Sequence, residues 1–182
     1  MFCIRLLLTG IFAAILALPN VACQSQSTTG SNSRVAANIG DRQYYQAIAG
    51  LTTRIENNPN DADAYFRRGF VYSVGGHHNE AIKDYTAAIG IKADFTVAYE
   101  NRATGYYRLG RYDAALADYT TAITLDPDYA IAYQNRAWAY YALGDYEKAR
   151  ADIGKCRSHG GSPDDTLVEA LTKASARSRL RE

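Results

Sequence analysis

Cysteine, histidine, proline and tryptophan are all scarce in this chain of 182 residues, with three, three, four and one copies. Three cysteines cannot build a disulfide framework, and three histidines leave little material for a metal or acid–base centre. Charge of one sign is also lacking. Twenty Lys+Arg against 19 Asp+Glu leave a net charge of +1, so no positive field exists to hold nucleic acid or an anionic membrane. Long apolar runs are missing too. The uncharged run Leu6 to Leu18 has 13 residues before Pro19 breaks it, where a membrane span needs about 20. No G-x-S-x-G, phosphate loop, H-E-x-x-H or C-x-x-C occurs. Without a nucleophile–base pair or a ligand set, the chain reads as non-enzymatic, with no cofactor and no metal. What is abundant is tyrosine: 15 copies against five phenylalanines, in a chain that is 47% apolar and 21% charged. That balance suits a packed globular core.

Residues 1–23 read as a secretory signal. Arg5 is the only charge, the uncharged run follows, Pro19 breaks it, and Val21-Ala22-Cys23 supplies small residues. Cleavage after Cys23 is expected, which makes the protein exported, periplasmic or secreted. An uncleaved anchor helix is the alternative. A second is lipidation at Cys23, because Asn20-Val21-Ala22-Cys23 resembles a degenerate bacterial lipoprotein box. The signal holds one basic and no acidic residue, so the remaining chain is balanced at 19 against 19. Residues 24–40 are rich in Ser, Thr, Gly and Asn and read as a flexible linker.

Self-similarity dominates the rest. A shift of 34 residues superimposes Ala64-Tyr65 on Ala98-Tyr99 and Ala132-Tyr133. It also aligns Arg68 with Arg102 and Arg136, Tyr72 with Tyr106 and Tyr140, and Gly76 with Gly110 and Gly144. Ala81, Ala115 and Ala149 align, as do Asp84, Asp118 and Asp152. Tyr112, Ala115, Leu116, Tyr119, Ala122 and Ile123 form the apolar stripe of an amphipathic helix, repeated as His78, Ala81, Ile82, Tyr85, Ala88 and Ile89. A preceding helix carries Tyr99, Arg102, Ala103 and Tyr106, and the aligned glycines stop it. Asn60, Asp94, Asp128 and Ser162, also 34 apart, are the expected N-caps. Pro163 and Asp165 complete the last of these helix starts.

A 34-residue helix–turn–helix of this kind resembles the tetratricopeptide repeat. Ala98-Tyr99-Glu100-Asn101-Arg102-Ala103, Tyr106, Leu109-Gly110-Arg111-Tyr112, Ala115, Tyr119, Ala122 and Pro127 carry the likeness most fully. Residues 62–95, 96–129 and 130–163 are the three units. Residues 41–59 form an N-terminal half repeat, with Tyr44, Ala47, Ile48, Leu51 and Ile55 in register. Residues 164–182 form a capping helix, with Leu167 and Leu171 inward and Arg177, Arg179 and Arg181 outward. The resemblance implies an all-α, right-handed superhelical solenoid of antiparallel helix pairs.

It further implies a concave groove lined by the first helix of each unit. The outward positions are Phe66, Arg67 and Phe70, then Glu100, Asn101, Thr104, Tyr107 and Arg108, then Gln134, Asn135, Trp138 and Tyr141. These differ between units while the packing positions do not, and they mix aromatics, amides and Arg, the residue types of interface hot spots. The implied function is a protein-interaction scaffold that holds a partner peptide or helix. Self-association of the solenoid in envelope assembly is the competing reading. Asn101, Asn135 and Arg67 resemble part of a clamp for a C-terminal carboxylate, but Asp63, Val97 and Ile131 stand where that clamp needs lysine.

The remaining candidates read as scaffold. Tyr65, Tyr99, Tyr133, Tyr72, Tyr106 and Tyr140 are expected to pack, and the stems of Arg68, Arg102 and Arg136 to lie between units. His77-His78 marks a turn, His159 stands alone in a loop, and Cys156 aligns with Ala88 and Ala122 as a small buried residue. Asp61/Asp63 and Asp164/Asp165 sit at helix starts, where acids favour the dipole.

Overall fold

A computed structural model describes residues 41–179, with side chains for residues 42–174. The signal and linker assignments, Cys23, and the Arg177, Arg179 and Arg181 side chains lie outside the described residues. Eight helices follow in order: α1 (Asp41–Asn57), α2 (Ala62–Val74), α3 (His78–Ile91), α4 (Thr96–Arg108), α5 (Tyr112–Leu125), α6 (Ala130–Ala142), α7 (Tyr146–Ser158) and α8 (Asp165–Arg179). Among the described residues there is no strand. The pairs α2/α3, α4/α5 and α6/α7 form antiparallel hairpins that stack in sequence, with α1 against α2 and α8 against α7.

The hairpin turns follow from glycine. Gly76, Gly110, Gly144 and Gly160 have φ of 80°, 72°, 81° and 76°, the left-handed region where a Cβ is strained. Each allows the next residue to donate back to the helix it leaves: His77 N to Tyr72 O and Arg111 N to Tyr106 O at 2.9 Å, Asp145 N to Tyr140 O at 2.9 Å, Gly161 N to Cys156 O at 2.8 Å. This is the Schellman closure, and it satisfies carbonyls that would otherwise be orphaned.

The helix starts fall later than the sequence suggests. The caps are Asp61, Phe95 and Tyr129, each one residue beyond Asn60, Asp94 and Asp128. Only Asp61 of these caps through its side chain, accepting from Ala64 N at 2.9 Å. The connecting turns are held instead by Asn58 and Asp126, whose side chains accept from Asn60 N and Asp128 N. At Phe95 packing takes priority over capping, since its ring lies 4.9 Å from Phe66. For α8 the capping contact comes from Asp164 rather than Ser162, with Asp164 Oδ1 accepting from Thr166 N at 2.8 Å.

The core is built from small residues with tyrosine as filler. Ala64, Ala81, Ala88, Ala98, Ala103, Ala115, Ala122, Ala132, Ala137, Ala139 and Ala149 are fully buried, around Tyr85 and Tyr119. Such residues let helices approach closely. At Gly69 even a methyl group would meet the Tyr85 ring at 3.0 Å and Ala81 O at 3.1 Å. Leu167 and Leu171 of α8 close the far end against Ala137, Ala149 and Ile153, as expected of a cap. Cys156 is fully buried beside Gly161, as its alignment with alanines requires.

The repeated arginines do more than lay their stems between units. Arg68, Arg102 and Arg136 each fork onto the aspartate 16 residues on, Asp84, Asp118 and Asp152, with both contacts at 2.7–2.8 Å. The third guanidinium nitrogen donates to Thr52, Thr86 or Thr120 of the preceding hairpin or half repeat at 3.0–3.1 Å. Tyr65, Tyr99 and Tyr133 present ring faces to the same guanidinium groups at 5.5–5.7 Å.

Candidate functional site

The first helices α2, α4 and α6 touch their successors across the stack more closely than the second helices do. They therefore form the inner layer, and their free faces make the concave surface. Three of the expected groove residues face solvent there: Arg67, Phe70 and Arg108. Phe70 is 39% exposed, high for an apolar ring. Arg67 Nε lies 2.8 Å from Asp63, which in turn accepts from Arg54, so this basic group is already engaged.

A second set is half-buried. Phe66 leans on Tyr85 and Phe95 at 5.7 and 4.9 Å. Asn101 donates to the Val97 carbonyl one turn back. Tyr107 packs on Tyr112 at 5.4 Å, and burial raises its phenol above the ordinary range. Trp138 and Tyr141 meet edge to face at 5.9 Å and pack against the Leu167–Leu171 cluster, so both are partly committed to closing the C-terminal end.

Glu100 and Gln134 are not outward-pointing. They are 4% and 3% exposed, sealed where neighbouring inner helices converge. Glu100 Oε1 accepts from Asn135 Nδ2 at 2.7 Å and from Thr104 Oγ1 at 3.1 Å. Thr104 Oγ1 also lies 2.9 Å from the Tyr119 hydroxyl. Gln134 Oε1 accepts from the Asp164 N–H at 3.1 Å and so ties α6 to the start of α8. Burial holds the Glu100 carboxyl above the ordinary glutamate range, against the pull of its two donors. Helical spacing assigns both residues to the inner face, but it cannot show how closely successive units lean together there. The Glu100–Asn135 bond joins residues 35 apart, one more than the repeat, so alignment by repeat does not pair them.

The histidines behave as structural groups. His77 stacks with Tyr44 at 6.0 Å, and burial lowers the His78 imidazole from its usual range. His159, expected to be alone, stacks flat on Tyr133 at 5.3 Å with its Nδ1 2.9 Å from Asp128. The loop brings these together across 31 residues, a proximity no local pattern reveals. Among the described residues no group of three His, Cys, Asp or Glu is placed to hold a metal, and no helix is long and apolar enough to cross a membrane.

Three segments match family models: residues 55–83 and 132–159 match those described as tetratricopeptide repeat, and residues 103–144 one described as TPR repeat. The chain carries tetratricopeptide repeats. Solved TPR structures share the fold. The first TPR of Spaghetti (RPAP3), bound to the HSP90 peptide SRMEEVD, superimposes with a TM-score of 0.59 at 28% identity, covering 64% of this chain and 91% of that one. The Arabidopsis OM64 TPR domain gives 0.60 at 25% identity, over 62% of this chain and 94% of that one. The Sgt2 TPR domain from Aspergillus fumigatus gives 0.59 at 23%, over 65% and 80%. No curated protein sequence matches the chain.

Proposed function

We propose that this TPR solenoid is a non-enzymatic interaction module that holds an extended segment or helix of a partner protein on its concave face. The observation that carries this reading is the inner face itself: Phe70 exposed, with Phe66, Tyr107, Trp138 and Tyr141 half-buried and Asn101, Asn135, Arg67 and Arg108 between them. Rings held by packing lose little conformational freedom on binding, which favours association. The peptide in the similar Spaghetti structure supports the reading by analogy. A photocrosslinking residue at Phe70 or Asn101 is expected to capture a partner in native cells, whereas one at Lys83 or Ala117 of the outer helices is not. Equal capture at both faces would sink the proposal.

We further propose that residues 1–23 act as an export signal, so that this activity belongs to the periplasm or the cell exterior, with membrane attachment only through a lipidated Cys23 or an uncleaved signal. Mass spectrometry of the mature N-terminus tests it. A chain that begins at Gln24 is expected; an acylated Cys23 would replace secretion by lipid anchoring.

A further inference from the structure

All but one of the buried acids of the described residues have an evident compensation. Asp84, Asp118 and Asp152 each face an arginine fork, and Asp164 lies at the start of α8, where it accepts a backbone N–H. Glu100 has neither form of compensation. It sits inside the first turns of α4, beyond the helix N-cap Phe95, and forms no ion pair among the described residues. Its two donors, Asn135 and Thr104, are both neutral and both fall on Oε1. A carboxylate in low dielectric is costly unless a positive charge or several hydrogen bonds offset it. Two neutral donors on one oxygen leave that compensation incomplete.

The surroundings share one preference. Thr104, which donates to Glu100, also lies 2.9 Å from the Tyr119 hydroxyl, so a buried aromatic ring stands one hydrogen bond away from the carboxyl. Aromatic rings and a carboxylate both attract cations. The rim is formed by Asn135 and Thr104, both part-buried on the concave face. Rotation of those two side chains opens Oε1 toward the groove, a change of the size common when partners bind.

We infer that Glu100 is the point at which the concave face receives a basic side chain of its partner, an arginine or lysine set between apolar contacts. This inference rests on the groove reading above and adds the charge of the ligand. It predicts the opposite preference from a groove that takes a peptide ending in acids, such as the SRMEEVD bound to the Spaghetti domain. Like charge against a buried carboxylate repels, so an acidic segment is rejected as well as a basic one attracted.

The test is selection of short peptides, blocked at both ends, from a synthetic library on the full chain and on Glu100→Gln. Peptides retained by the wild type are expected to share an arginine or lysine. Changing that arginine to citrulline, which keeps shape and removes charge, should weaken binding by about tenfold. On Glu100→Gln the two peptides should bind alike. Selected peptides without a basic residue, or equal binding of arginine and citrulline forms to the wild type, would overturn the inference and leave the groove reading standing. Failure to retain any peptide, or binding unaffected by Phe70→Ala, would remove both. Circular dichroism reports whether Glu100→Gln folds, and the citrulline comparison needs no variant.

Discussion

Arg102 and Asp118 are joined by two parallel hydrogen bonds, Nε to Oδ2 at 2.7 Å and Nη2 to Oδ1 at 2.8 Å, across the hairpin that links α4 to α5. Both side chains are mostly buried. Removing one partner leaves the other charged and without its counter-ion in low dielectric. Asp118→Ala is therefore expected to lower unfolding free energy by about 3 kcal/mol, read as a shift in urea midpoint. Replacing both partners at once, as Arg102→Met with Asp118→Leu, should cost markedly less. A double variant as unstable as the single one would show that the pair, rather than the orphaned charge, matters.

Gly110 stands at φ of 72° with open space around it. Gly110→Ala meets no neighbour, so its penalty is conformational alone, about 1 kcal/mol. Thermal melting should fall by a few degrees with helix content retained. An unchanged midpoint would mean that the turn relaxes out of the left-handed region.

The Glu100 carboxyl is raised by burial, so the folded chain holds its proton more tightly than the unfolded one. Its contribution to stability is fully present below the ordinary glutamate range and is lost as pH rises through the raised folded value. Asp61 and Asp145, held low first by Arg54 and Lys148, act in the opposite sense, losing stability as pH falls. A comparison of wild type with Glu100→Gln isolates the first effect. The variant should gain stability relative to wild type as pH climbs from about 4 to about 8 in urea unfolding. A constant difference across that range would contradict the burial of an ionisable group there.

Leu167 is fully buried between α6, α7 and α8. Leu167→Ala should cost about 3 kcal/mol through the cavity it leaves. The chain has one tryptophan, Trp138, packed against the same cluster, so its fluorescence should shift to the red in this variant. A stable protein with unchanged emission would mean that α8 does not cover Trp138.

The repeat made most of the fold legible. Residues 34 apart have the same job in each hairpin, and alanines, tyrosines and glycines that recur at that offset are those found in the core and turns. The same alignment marks Arg102 and Asp118 as recurring positions without revealing that they bond, because they lie 16 apart on the two helices of one hairpin and a shift of 34 never compares them. Caps were displaced for a similar reason. Asp94 and Asp128 have the chemistry of a cap, but packing of the next residue fixes where each helix begins. The groove is less legible in the sequence than the scaffold. Spacing gives the face of a helix, and the burial of Glu100 and Gln134 depends on how far neighbouring helices lean together.

The arginine ladder has a direction. Thr52, Thr86 and Thr120 receive the guanidinium groups of the following hairpin, but position 154 is Gly and position 170 is Ala. No fourth clasp can form, and α8 is fastened by other means, among them Arg150 Nη2 to the Leu171 carbonyl at 2.8 Å. The stack is thus a zipper whose teeth stop one helix short of its end. Pulled or warmed, it should open from the α8 side inward, and hydrogen exchange should report the amides of α8 as the first to exchange and those of α4 and α5 among the last.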